Sequence, residues 1–176
     1  NDYHIGVTST DMKGGLKGAL REKNGVKIMT HQTPNVKDAF KTIANLGTGG
    51  SANEQGLAAA KAALSLPHTF DTCSTKCQTC KVHADCQQNM LCVDDGSGTK
   101  ACGGHNRGFM RKKAGLEIVF VSDEEDSSTG ALNIYVDFLK NIKGFANKGL
   151  LHAHAIVGTG TSGCQAQQGK RYITAA

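Results

Sequence analysis

Sulfur, clustered oxygen donors and a late glycine pattern are the features of this 176-residue chain whose types and spacing bear on chemistry. Six of its seven cysteines fall in one stretch, at Cys73, Cys77, Cys80, Cys86, Cys92 and Cys102. An even, dense set in a polar segment reads as a disulfide-stapled module from an oxidising compartment. Zinc is the rival, because Cys77, Cys80, His83 and Cys86 have short ligand-like spacings. Such a site would leave Cys73, Cys92 and Cys102 idle, whereas three bridges use all six thiols. The seventh, Cys164, stands apart and asks for a partner elsewhere.

The oxygen donors lie in Thr8-Ser9-Thr10-Asp11, in the turn from Gly47 to Ser51, and in the acidic run Ser122 to Ser128. Hydroxyls and carboxylates converging on one rim suit Mg²⁺ or Ca²⁺ and not a soft metal. Asp123 leads this group because it directly follows an apolar run. The plain alternative is a solvated loop whose acids cap the next helix near its positive end. Gly158, Gly160 and Gly163 spell G-x-G-x-x-G, the outline of a dinucleotide-binding turn. The residues behind it show no apolar helical stripe and no acid, so it is set aside as a decoy. His152 and His154 share a strand face with no third ligand in view. No nucleophile–base pair can be placed, and the chain is expected not to be an enzyme.

These residues need a frame. His4 to Thr8 and Gly25 to Thr30 read as short strands, Val36 to Leu46 as a helix, and Glu54 to Ser65 as an alanine-rich helix. Phe109 to Ala114 reads as a short helix. Leu116 to Val121 is a continuous apolar run, which suits a parallel strand covered on both faces. A helix over Leu132 to Ile142 and a strand over Leu150 to Val157 follow. Alternating strands and helices predict an α/β doubly wound, mainly parallel sheet of Rossmann-like form. The segment 67–105 breaks the pattern as a cysteine-rich insertion between core parts 1–66 and 106–176.

Composition narrows the classes. The net charge of +5 is scattered, with no basic run interleaved with aromatics, so nucleic acid is not an expected partner. No apolar run approaches the roughly 18 residues of a membrane span.

Taken together, IGVTSTDM (Ile5 to Met12), NLGTGGSANEQGLAAAKAAL (Asn45 to Leu64), GFMRKKAGLEIVFVSDEEDSS (Gly108 to Ser128) and AIVG (Ala155 to Gly158) resemble the von Willebrand factor type A domains of secreted or surface bacterial proteins. The resemblance implies a doubly wound fold with a metal-ion-dependent adhesion site on its upper rim. It assigns Ser51 as the hydroxyl of the second loop and Asp123 as the aspartate of the third, with Glu124, Glu125 and Asn53 around them. The family's D-x-S-x-S segment is not in this sequence, so the chain is expected to begin one strand and one helix late, and to end before the partner of Cys164. The cofactor implied is Mg²⁺, or Ca²⁺ or Mn²⁺, held incompletely without that segment.

The function expected is an extracellular or cell-surface, periplasm-facing adhesion or protein-recognition domain. It would bind a protein ligand whose exposed carboxylate completes the metal's coordination. The alternative is a structural subunit of an extracellular filament or surface complex, completed by a strand from another subunit.

Overall fold

The structure, a computed structural model, describes residues 2–69, 79–86, 90–94, 100–160 and 165–176. Cys73, Cys77 and Cys164 lie outside the described residues. The chain divides into two compact units. One gathers Asn1–Thr8, Ala19–Leu46 and Ala62–Met110, the other Ser9–Gly18, Gly47–Lys61 and Arg111–Ala176.

In the first unit the helix expected from the spacing of Val36, Ile43 and their neighbours is present as α1, Val36–Ala44. Its last carbonyls have no intrahelical partner, and Arg21 supplies one by donating to Ile43 O at 3.1 Å and to Asn45 O. Asn106, 1% exposed, accepts from Leu20 N–H at 2.7 Å and donates from Nδ2 to Ala63 O at 2.9 Å, so a buried amide ties three stretches of chain. Ala19, Leu20, Met29, Ile43 and Leu64 are buried in this unit.

The two early strands shrink to a single antiparallel bridge, Ile5 with Met29, joined by two hydrogen bonds of 2.8 Å. Positive φ at Lys17, Gly18, Asn24 and Gly25 turns the backbone out of the extended region before a ladder can grow. Within the cysteine segment, β1 (Met90–Asp94) and β2 (Lys100–Gly104) form an antiparallel hairpin that places Cys92 opposite Cys102.

The second unit holds α2 (Gly56–Ala63), which begins there, then β3 (Leu116–Ser122), α3 (Leu132–Asn141), β4 (Leu151–Val157) and α4 (Lys170–Ala175). β3 and β4 pair in parallel, from Leu116 opposite Leu151 to Ser122 opposite Val157, with α3 as the connecting helix. This strand–helix–strand unit makes the protein a mixed α/β chain with a small parallel sheet, as the alternating periodicities predict. No helix expected over Phe109 to Ala114 forms. The segment lies between Gly108 and Gly115 and carries only isolated turns, too short to repay helix nucleation.

The sheet is covered on one face. Leu116 and Phe120 are buried, and the Phe120 ring lies 5.3 Å from that of Tyr172 on α4, itself 0% exposed. Cover on both faces was the expectation from the apolar run. Instead the opposite face leaves Val119 54%, Val121 65% and Ile156 64% exposed. Among the described residues, no helix with a helical apolar stretch long enough to cross a membrane occurs.

Candidate functional site

The acidic run after β3 is organised by the helices it touches. α2 starts at Gly56 with three amides that have no carbonyl partner inside the helix. Each finds a side chain from another part of the same unit. Gly56 N–H donates to Tyr172 Oη at 3.0 Å, Leu57 N–H to Asp126 Oδ1 at 3.1 Å, and Ala58 N–H to Ser128 Oγ at 2.9 Å. Gly56 is required here, because a Cβ at that position would sit 2.6 Å from Tyr172 Oη.

Asp126 is the centre of the arrangement. Its side chain is 0% exposed and accepts from Arg171 Nε at 2.9 Å and Ser128 Oγ at 2.8 Å. Arg171 also donates to the carbonyls of Ser128 and Gly130 at 3.2 and 3.3 Å. A carboxylate buried at a helix N-terminus and paired with a guanidinium is held by both charge and geometry. Burial raises the Tyr172 phenol far above its ordinary range, so it stays a neutral hydroxyl.

Glu125 plays the same part for α4, accepting Lys170 N–H at 2.9 Å and Arg171 N–H at 3.1 Å. The acids therefore do cap helices, but those helices are α2 and α4. The next helix in the chain, α3, starts at Leu132 behind Ala131, which gives it no side-chain cap. Glu124 donates its N–H to Ser122 Oγ at 3.1 Å, and Asp123 remains exposed.

Ser51 is brought to Asp11. Its N–H donates to Asp11 Oδ2 at 3.2 Å, while Lys13 and Gly14 N–H donate to Oδ1 at 2.8 and 3.0 Å. These backbone donors, led by Gly14, hold the Asp11 carboxyl below its ordinary value. Asn53 is exposed, and its N–H donates to Ser51 Oγ at 3.2 Å.

The expectation of Mg²⁺, Ca²⁺ or Mn²⁺ is corrected by this geometry. Hard cations need about six oxygen ligands free to coordinate. The carboxylates of Asp11, Glu125 and Asp126 are instead engaged by amides and a guanidinium. Among the described residues, the one group of three ligand atoms close enough to share an ion is sulfur, from Cys80, Cys86 and Cys102. Those sulfurs lie in two disulfides, Cys80–Cys92 and Cys86–Cys102, which gives the predicted staple two of its bridges.

Gly158 of the dinucleotide-like pattern has a packing role. A Cβ there would lie 2.2 Å from the Gln167 carbonyl oxygen. At the C-terminal end of the sheet, Val121, Asp123, Ile156, Gly158 and Ala166 line a shallow depression of about 470 Å³. At the other end of the exposed face, Glu117 binds His152 Nδ1 and His154 Nε2, each at 2.8 Å, and these bonds lower its pKa. In the sequence Asp126 and Ser128 stand out only as members of the acidic run, and Arg171 and Glu117 do not stand out at all. Only the D-S-S spacing after Glu125 hints at a capping role, and nothing local shows which helix it serves.

Compared with the known protein families, the curated proteins and the solved structures, the chain matches none.

Proposed function

We propose that the chain is a protein-recognition domain of an extracellular assembly, built on a doubly wound plan like that of the von Willebrand factor type A family. It takes an extended strand of a partner polypeptide onto the outer edge of β3. The observation that carries this reading is the exposed stripe of Val119, Val121 and Ile156 on a parallel pair that has two strands among the described residues. A two-stranded sheet is marginal by itself, and among the described residues each strand presents backbone N–H and C=O groups with no ladder partner on its outer side. Among the described residues, β3 pairs with β4 alone.

A strand added in this way gains affinity from main-chain hydrogen bonds and selectivity from side chains at alternate positions. One apolar side chain fills the depression beside Val121 and Ile156, where Asp123 at its margin rejects a carboxylate. Recognition through a metal-bridged acid is replaced by strand pairing. The two disulfides support an oxidising compartment for the assembly.

A displayed heptapeptide library selected on the full chain tests the reading. Selected sequences should alternate apolar and polar residues, and Val121→Lys should weaken their binding by at least about tenfold, since an edge lysine blocks strand addition. Equal enrichment on the wild-type and Val121→Lys proteins would overturn it.

A further inference from the structure

The two disulfides of the hairpin are packed against each other. The sulfurs of Cys80, Cys86 and Cys102 lie within 4.8 Å of one another, and Cys92 Sγ is bonded to Cys80 Sγ. Three sulfurs are thus gathered at close to the spacing of a tetrahedral Zn–S₄ centre, whose Zn–S bonds of about 2.3 Å set its sulfurs about 3.8 Å apart. The fourth, Cys92 Sγ, is tethered to Cys80 and outside that cluster, so it closes on the other three once its bond is broken. Cys80 and Cys102 are buried, and Cys86 and Cys92 are partly so.

The backbone that gathers them does not depend on the S–S bonds alone. The β1–β2 ladder sets Cys92 opposite Cys102. Thr79 bridges Ala101, and Cys80 N–H donates to Lys100 O at 3.1 Å, which fixes Cys80 alongside β2. Cys86 closes a turn through its N–H to His83 O at 3.1 Å. The Asp85 carboxylate steadies that turn by accepting Lys81 and Val82 N–H at 2.7 and 3.1 Å. His83 Nδ1 accepts the Cys92 N–H at 3.0 Å, so the histidine serves the scaffold while the cysteines supply the ligands.

We propose that this double disulfide is the oxidised form of a soft-metal site. On reduction, Cys80, Cys86, Cys92 and Cys102 bind one Zn²⁺ ion, and oxidation expels it. Each S–S bond takes two electrons and two protons from a dithiol reductant, which closes to its own disulfide, so two dithiols yield four protein thiols. Zn²⁺ then displaces the four thiol protons and forms four Zn–S bonds. Metal uptake is therefore coupled to the redox state of the compartment and to pH, because the ligand is the thiolate.

The test uses the full chain, reduced anaerobically with a phosphine, which takes oxygen from water and leaves two thiols per bridge, and then titrated with Co²⁺. One equivalent should bind with sulfur-to-cobalt charge-transfer and tetrahedral bands, and Zn²⁺ should displace it. The oxidised protein should show no such bands. Cys102→Ser should weaken Co²⁺ binding by at least about tenfold, whereas Cys164→Ser should leave it unchanged. Amide exchange across the β1–β2 ladder reports whether the hairpin persists after reduction. Loss of the ladder together with absence of the sulfur–cobalt bands would overturn the proposal. So would bands that survive Cys80→Ser and Cys102→Ser and vanish with Cys73→Ser or Cys77→Ser.

Discussion

The cysteine hairpin and the acidic loop solve one problem with different chemistry. Each is a short polar segment with too little apolar surface to hold itself in place. In the hairpin, Cys80–Cys92 and Cys86–Cys102 pin the 79–86 segment to both strands. In the acidic loop, Glu125, Asp126 and Ser128 spend their oxygens on the first amides of two helices, with Arg171 completing the set. The covalent device works mainly by restricting the unfolded chain, and the capping device works by relieving unpaired groups in the folded one. A motif of hard oxygen donors is therefore not a metal site when the helix ends beside it have no caps of their own.

The largest expected effect breaks the capping side of this contrast. Asp126→Ala strands the Arg171 charge and the Leu57 amide, and should cost about 3–5 kcal/mol, the range for removing one member of a buried ion pair. With no tryptophan in the chain, urea unfolding followed by tyrosine fluorescence reads it out. A loss below about 1 kcal/mol would show that the loop does not hold α2.

Breaking the covalent side should cost slightly less. The bridge between Cys86 and Cys102 spans 16 residues, and the paired change Cys86→Ser with Cys102→Ser should remove about 3 kcal/mol. Amide exchange should speed up along β1 and β2 and stay unchanged along β3 and β4. Equal acceleration in both sheets would erase the distinction between the two regions.

The smallest effect sharpens the comparison through pH. Burial, then the charge of Lys27 and the neighbouring His68, lowers the His105 pKa below its ordinary 6.5. The unfolded chain therefore binds the proton more readily than the folded one. Stability contributed by neutral His105 is complete above about 6.5 and declines as pH falls below that value. Thermal unfolding as a function of pH should show this slope in the wild-type protein and a shallower one in His105→Gln. An unchanged slope would remove His105 from the account.

Much of the secondary structure was legible because its causes are local. The spacing of Val36 and Ile43 and the stripe of Tyr135 and Leu139 mark α1 and α3. The apolar run at Leu116 marks β3, and the even cysteine count marks the staple. The early strands at Ile5 and Met29 were legible as extended chain but not as a single bridge, because positive φ at Asn24 and Gly25 ends the pairing.

By itself the sequence determined the main helices, the parallel strand–helix–strand unit and the disulfide character of the cysteine segment, since hydrophobic period and thiol spacing are properties of neighbouring residues. Only the tertiary structure decided how the acidic run is used. Whether Asp126 meets a cation, water or a helix amide depends on Leu57, Arg171 and Tyr172, which lie 69, 45 and 46 positions away along the chain. A carboxylate goes to whichever unpaired donor folding brings nearest, because a buried donor without a partner costs more than a solvated acid gains by staying free.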